Sequence, residues 1–178
     1  MRITELAYLG SSGLPNQAEL SPELDPLRVE SILQEATLVG LKQDSIRSQS
    51  MMLLDCKGAL GVDNAYTAVL LFNGVNELHW DQEPGRVHAR QSFSIVGWAV
   101  DETNGVLSLV ASFEPSAELI ITSTQIRFFL GSVPGDDRPS PDFATADEPT
   151  MQTGLVGWES DFSLDRFSLR TAQEPDAR

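Results

Sequence analysis

The spacing of apolar residues changes in kind near Gly40. Before it, four apolar residues repeat at i, i+3, i+4 and i+7, which places them on one face of a helix: Val29, Ile32, Leu33 and Ala36. Ser21-Pro22 and Asp25-Pro26 are both plausible helix starts, because each puts a proline directly after a capping side chain. The pattern predicts one amphipathic helix over residues 24–36, whose apolar face covers a sheet rather than forming a groove for a partner.

After Gly40 the apolar residues form short runs that are typical of strands. Residues 51–54 are apolar at every position, as is most of 66–72, and such runs suit strands buried on both faces. The alternation of Leu, Leu, Ala and Phe with smaller residues over 107–113 indicates a strand buried on one face. Asn73-Gly74 predicts either a hairpin turn or a bend within one strand path, and Asn104-Gly105 predicts a second hairpin.

These elements predict an α+β fold in one domain that spans residues 1–178. The expected architecture is a mostly antiparallel sheet of six to eight strands with one N-terminal amphipathic helix, because the links are short and no strand–helix alternation occurs. Residues 1–23 are expected to form a mobile arm, residues 24–133 the helix and sheet, and residues 134–178 an acidic loop and a docking tail.

Charge narrows the classes of partner. The chain holds 26 acidic and 12 basic residues, a formal net charge of −14, which argues against binding to nucleic acid or to an anionic membrane. No apolar run approaches the ~20 residues of a membrane span, and no signal peptide is evident at the N-terminus. A single cysteine fits a reducing compartment, so we expect a cytoplasmic protein. The oligomeric state stays open.

Few residues could carry catalysis, and none of the usual catalytic motifs occurs. Cys56 could pair with a histidine as a nucleophile, but its place at the end of an apolar strand favours a small buried hydrophobe. His79, Asp81 and His88 could together supply two nitrogens and one oxygen to a metal, although nothing in the sequence fixes their geometry. We therefore expect no enzymatic activity, no cofactor and no metal.

The last third of the chain has the densest negative charge, with ten acids and four bases over residues 134–178. Prolines stiffen its loop, and Trp158 stands among acids as an aromatic anchor for a partner or as a plug that pins the tail to the sheet. If the protein binds another protein, we expect a basic partner that contacts the acidic loop and tail, whereas a merely solvated lid is the alternative. The expected partner-binding residues are Asp136, Asp137, Asp142, Asp147, Glu148, Trp158, Glu159 and Asp161.

Short motifs between Met51 and Gly135 give the chain a resemblance to a known class of proteins. They are Leu53-Leu54-Asp55, Gly74-Val75 followed by Leu78 and Trp80, Ile95-Val96-Gly97, and a closing strand that ends in Val133-Pro134-Gly135. In these motifs the chain resembles small bacterial immunity proteins encoded beside polymorphic toxins. The resemblance implies an α+β fold and a non-enzymatic role in protein binding, and it transfers no functional residue.

Two classes of function follow from the sequence. The first is a non-enzymatic protein-binding module, an immunity or antitoxin-like protein that neutralises a basic toxin domain. The alternative is a small-molecule-binding or enzymatic β-rich domain of unfamiliar activity. A pocket lined by convergent His, Asp or Arg side chains would favour the alternative, and an exposed acidic surface would favour the first.

Overall fold

The fold is nearly all-β, so the predicted α+β class is wrong. The computed structural model describes residues 1–9, 18–62, 67–83, 92–136, 140–141, 146, 149–150 and 156–173. Within these ranges, helical structure is limited to two short 3-10 helices, Ile3–Tyr8 and Pro22–Leu24, and to residues 149–150. The amphipathic helix expected over 24–36 is absent, and the mostly antiparallel sheet is confirmed.

Ten strands form one open sheet. In chain order they are β1 (Ala18–Glu19), β2 (Thr37–Asp44), β3 (Gln49–Asp55), β4 (Thr67–Asn73), β5 (Glu77–Gln82), β6 (Phe93–Thr103), β7 (Val106–Glu114), β8 (Ala117–Ser123), β9 (Gln125–Ser132) and β10 (Ser163–Thr171). Their order in the sheet is β1-β10-β9-β4-β3-β2-β6-β7-β8-β5. Nine strands pair antiparallel, and the two-residue β1 runs parallel to β10.

The sheet folds over on itself, so that its two halves share a core. Arg170 on β10 donates a hydrogen bond from Nη1 to the carbonyl oxygen of Val100 on β6, at 2.7 Å. In a flat sheet these strands would lie five spacings, or roughly 24 Å, apart. We call β1, β10, β9, β4, β3 and β2 the first half, and β6, β7, β8 and β5 the second half.

A bent two-stranded ribbon carries the chain from one half to the other. β4 pairs with β9 as far as Asn73 and Gln125, and β5 pairs with β8 from Glu77 and Thr122 onward. β5 therefore continues the path of β4, as β9 continues that of β8, so Asn73-Gly74 is the predicted bend rather than a hairpin. At the bend, the N–H of Thr124 donates to the carbonyl of Asn73.

The second junction between the halves is short. β2 pairs with β6 only at Thr37 and Leu38, where the N–H groups of Glu35 and Ile95 donate to the carbonyls of Ile95 and Ala36. From there β6 and β7 form the hairpin predicted at Asn104-Gly105, both of whose residues have positive φ, as a type I′ turn requires.

Buried side chains form two clusters on opposite faces of the first half. The main cluster fills the space between the halves and includes Leu70, Phe128, Leu109 and Ile121. The second cluster lies on the outer face of the first half, with Leu71 and Phe129 at its centre. β3 and β4 contribute to both clusters, and this confirms the prediction of strands buried on both faces.

Residues 24–36 turn twice instead of forming a helix. Asp25 closes the first turn instead of capping a helix, since its Oδ1 accepts hydrogen bonds from the N–H of Leu27 and from Ser168 Oγ, at 2.9 and 2.7 Å. The carbonyls of Ile32 and Gln34 accept from a neighbouring segment, residues 60–61, rather than from a next helical turn. Strand pairing and loop contacts therefore outcompete local helical bonding. The apolar stripe still packs inward, since three of its four residues are buried: Ile32, Leu33 and Ala36.

Segments near both chain ends, the N-terminal 3-10 helix and the residues just before β10, cover the outer face of the first half. Part of the predicted mobile arm packs on the fold, because Ile3 and Leu6 of the N-terminal 3-10 helix are fully buried. Arg127 on β9 donates to the carbonyl oxygen of Leu9, and burial lowers the pKa of its guanidinium. From the C-terminal side, Phe162 packs into the same cluster. Residues 10–17 of the predicted arm lie outside the described residues.

Substitution of two glycines, one at the bend of the ribbon and one outside it, tests the packing at the bend. Gly74 has φ +62°, and a Cβ there would lie 2.3 Å from Thr124 Oγ1. Gly135 has φ +82° with nothing within 4 Å of an added Cβ. Both Gly→Ala variants carry the strain of a left-handed residue, about 1–2 kcal/mol, and only Gly74→Ala adds about 1–3 kcal/mol of overpacking. Urea unfolding of both variants measures the difference, and equal losses of stability would contradict this packing.

Candidate functional site

Four of the residues predicted to bind a partner are described by the structure, and they lie in two places. Asp136 forms an ion pair with Lys57, with 2.7 Å between Oδ1 and Nζ and side chains 15% and 11% exposed. This pair connects the segment after β9 to the end of β3, and it leaves Asp136 little accessible to a partner. Four of the predicted residues lie outside the described residues: Asp137, Asp142, Asp147 and Glu148.

Trp158 holds the C-terminal segment against the sheet. It packs on the outer cluster of the first half and is half-buried. A Cβ added at Gly40 would lie 3.3 Å from its Nε1, so the glycine leaves room for the ring. Its carbonyl accepts a hydrogen bond from the N–H of Thr4, and Lys42 Nζ lies 6.0 Å from the ring centroid. These contacts correspond to the predicted plug.

Glu159 and Asp161 are exposed beside Trp158, and both lie next to Arg2. Arg2 Nη1 is 3.2 Å from Glu159 Oε2, and Arg2 forms an isolated β-bridge with Asp161. The exposed ion pair is screened by water and stabilises the fold by at most ~1 kcal/mol. The structure thus brings Trp158, Glu159 and Asp161 together, at a surface where a cation of the same chain already offsets the acids.

The three proposed metal ligands are not brought together in the described part of the chain. His79 and Asp81 lie on the same exposed face of β5, as their spacing predicts, while His88 lies outside the described residues. Among the described residues, no three His, Cys, Asp or Glu side chains form a group that could hold a metal ion.

Cys56 lies inside the core between the two halves and is 2% exposed. Burial raises the pKa of its thiol, and the negative charge of neighbouring Asp55 raises it further. Both effects disfavour the thiolate that a nucleophilic cysteine needs. The geometry therefore supports the buried-hydrophobe interpretation of Cys56.

A cluster of polar side chains surrounds Asp55, which is itself 3% exposed. Its Oδ1 accepts a hydrogen bond from the N–H of Lys57 at 3.0 Å, and its Oδ2 accepts one from Ser140 Oγ. With the pair between Lys57 and Asp136, these contacts tie Asp136 and Ser140 to the end of β3. These side chains bond to one another, so the cluster holds the segment after β9 against the end of β3.

The outer face of the second half is the surface that the sequence analysis missed. Its strand register aligns a central row across four strands: His79, Ile120, Val110 and Ala99. Val110, Ile120 and Ala99 stay partly exposed, whereas the matching face of the first half is buried under the chain ends. No layer formed by the described residues covers this row.

Acidic side chains surround that row on both sides. Five exposed carboxylates share the face: Glu77, Asp81, Asp101, Glu114 and Glu118. β5, β6, β7 and β8 contain no lysine or arginine, so every basic side chain that the structure describes lies elsewhere. We call these five carboxylates and the central row the acidic face. Arg86 and Arg90, between β5 and β6, lie outside the described residues.

A signal for this face is present in the sequence. Between Lys57 and Arg127 the only lysine or arginine residues are Arg86 and Arg90. The acids of the same region are widely spaced, so their charge density per residue stays below that of the tail. Only the strand register shows that they converge.

Comparison with known proteins adds no family to these observations: no family model matches the chain, and no curated protein matches it. Among the described residues, no helix has the length and apolarity needed to cross a membrane.

Cys56 provides a direct check of the core. Burial shields the thiol and raises its pKa. At about pH 8 we therefore expect the rate of its reaction with Ellman's reagent to be at least about 100-fold lower than the rate for a free thiol. Unfolding in guanidinium should restore one thiol per chain, since Cys56 is the only cysteine. Labelling of the native protein at the rate of a free thiol would contradict this burial.

Proposed function

We propose that the protein is a non-enzymatic protein-binding module, an immunity or antitoxin-like protein whose partner is basic. The observation that carries the proposal is the acidic face, where five exposed carboxylates surround a partly exposed apolar row on strands without lysine or arginine. The sequence resemblance to immunity proteins of toxin systems points to the same class of function. A cytoplasmic location belongs to this proposal, since the single cysteine fits a reducing compartment.

The acidic face has the two components of a typical interface. Val110 and Ile120 supply apolar area at its centre, and the carboxylates supply a charged rim. A group of like charges attracts a protein of opposite charge over about a Debye length, roughly 8 Å at physiological ionic strength. Such attraction mainly raises the association rate, and burial of the apolar row then slows dissociation.

The surface around Trp158, Glu159 and Asp161 is the second candidate for the contact. It is the part of the predicted tail site that the structure describes as one surface. We rank it below the acidic face because Arg2 already pairs with Glu159, and because Trp158 is engaged with Gly40 and Thr4. Both surfaces are tested by the same experiment.

A photo-reactive residue at Val110 tests the proposal. Crosslinking in the source cells should capture a basic protein, and the same residue at Gln43, on the first half, should not capture it.

The captured protein is then purified, and its association rate is measured with three variants of equal charge. The face variant is Glu118→Gln, Asp81→Asn, Asp101→Asn. The tail variant is Glu159→Gln, Asp161→Asn, Glu5→Gln. The control variant is Glu23→Gln, Glu30→Gln, Asp165→Asn.

We expect the face variant to lower the association rate about tenfold at low salt, and the control variant to lower it less than about twofold. The difference should shrink as salt is added. If the tail variant lowers the association rate more than the face variant does, the contact lies at Trp158 and its neighbours. An acidic partner, or an association rate that neither salt nor any variant changes, would refute binding to a basic protein.

A further inference from the structure

A buried group of charged side chains lies where β3 ends, β4 begins and β9 has just ended. It holds two carboxylates, Asp55 and Asp136, which are 3% and 15% exposed, and one ammonium, that of Lys57. Lys57 Nζ is 2.7 Å from Asp136 Oδ1, and the backbone N–H of Lys57 donates to Asp55 Oδ1. No other basic side chain among the described residues pairs with either carboxylate, so two negative charges face one positive charge. Buried charge without a counter-charge is costly, and this excess favours a bound cation.

Two oxygen atoms in this group have no hydrogen-bond partner among the described residues. One is Oδ2 of Asp136, and the other is Oγ1 of Thr67, a residue with no exposed surface. Thr67 lies directly opposite Asp55 in the pairing of β3 with β4, so both side chains lie on the same face with their Cβ atoms about 4.5–5.5 Å apart. Buried polar atoms normally have a partner, and an ion or a water fills that position where the protein offers none.

Two short segments bring the oxygens of this group together. Ser140 Oγ donates to Asp55 Oδ2, and four residues earlier Asp136 pairs with Lys57. Asp55 and Lys57 are themselves two residues apart, so their Cα atoms lie within about 7 Å of each other. Both contacts therefore join the same two segments, with the hydroxyl of Thr67 beside the first of them.

We propose that this group binds a hard metal cation through the oxygens of four side chains: Asp55, Thr67, Asp136 and Ser140. Two carboxylates and two hydroxyls form an all-oxygen set, which hard cations such as Mg²⁺ and Ca²⁺ prefer, whereas zinc and copper favour nitrogen and sulfur. The cation would balance the excess carboxylate and give both unpartnered oxygens a ligand. Backbone carbonyls or water would complete its coordination shell.

This site departs from the sequence-based expectation of no metal. It contains only two acidic side chains, and the hydroxyl of Thr67 joins them through strand register, which the sequence alone does not show. A cation here would hold the segment after β9 against the end of β3, in the first half of the sheet. The acidic face lies on the second half, so the inference is independent of the proposed function.

Thermal unfolding of the full-length protein in N-methylglucamine chloride tests the site, with CaCl₂, MgCl₂ or NaCl substituted at equal ionic strength. At about 5 mM divalent cation, well above the ~10⁻⁴–10⁻³ M dissociation constants of weak oxygen sites, we expect Tm to rise by about 3–6 °C with the ion that binds. If NaCl raises Tm as much as the divalent salts do, the ion is monovalent. If only one divalent salt raises it, that ion is the ligand.

Variants of Thr67 separate this site from the acidic surface. Thr67→Val removes the unpartnered hydroxyl and keeps the shape of the side chain, so the cation-free protein should be at least as stable while most of the cation-induced shift is lost. Thr67→Ser retains the hydroxyl and should retain the shift. Ser123→Ala is the matched control, because Ser123 Oγ is also buried without a partner among the described residues but lies on β8. It should leave the shift unchanged.

A second pair of variants controls for net charge. Asp136→Asn and Asp165→Asn each remove one negative charge, and Asp165 is exposed on β10. Titration calorimetry with the ion that raises Tm should show one site per chain. We expect Asp136→Asn to weaken its affinity at least about tenfold, and Asp165→Asn to change it less than about twofold.

The results decide the inference in either direction. A shift in Tm that is the same in the wild-type protein and in Thr67→Val would place the cations on the acidic surface and overturn the site. Unfolding at the same temperature in all four salts would also overturn it, and would assign a water to the hydroxyl of Thr67. None of these variants alters the acidic face, so the crosslinking test at Val110 decides separately whether that face binds a basic protein.

Discussion

The burial of β3 and β4 on both faces is the constraint on which the rest of the fold depends. Five side chains on the outer side of the first half illustrate it: Met51, Leu53, Val69, Leu71 and Phe129. Leaving such side chains in water costs about 1.5–3 kcal/mol each, so their sum rivals the whole stability of a domain, about 5–15 kcal/mol. Two layers must therefore flank the first half. The second half supplies one by folding over, and the two chain ends, around Ile3 and Phe162, supply the other.

The way in which these two layers cover the first half determines which surfaces remain exposed for binding. Both chain ends are used as cover, so Trp158 lies against Gly40 and stabilises the fold even though it stands among acids. The second half covers the first, and the described residues cover the second half on one side only. On its other side, the carboxylates of Glu77, Asp81 and Glu118 surround the partly exposed Val110 and Ile120 and oppose non-specific association. In the proposed function, the same acids favour a cation-rich partner.

The sequence predicted the strands correctly and the helix wrongly, and it did not indicate the acidic face; the reason is physical. Runs such as residues 51–54 and the alternation over 107–113 reflect burial, which is decided by the whole fold and is therefore visible in the pattern. The helical spacing of Ile32, Leu33 and Ala36 also reflects burial, but two turns bury these side chains as well as a helix would. The N–H groups of residues 60–61 donate to carbonyls in this segment that a helix would use for its own hydrogen bonds. Asn-Gly favours positive φ, which Gly74 adopts here, but the dipeptide does not specify which strands pair, so it is compatible with both a hairpin and a bend. The acidic face needs strand register, because its members are separated by up to 41 residues between Glu77 and Glu118.

The strand path also explains why exposed charge begins at β5. The bend at Gly74 turns β4, a fully buried strand, into β5, a strand with β8 on one side only. Over a few residues the same strand path passes from Phe72, which is fully buried, to His79, which is exposed. A strand that leaves the middle of a sheet and becomes its edge must lose either its hydrophobicity or its solubility. In β5 the positions that face the core, Leu78 and Trp80, remain apolar, whereas the positions on the other face, Glu77, His79 and Asp81, are exposed and polar or charged. The end of the strand path therefore keeps a hydrophobic margin on one face and negative charge on the other.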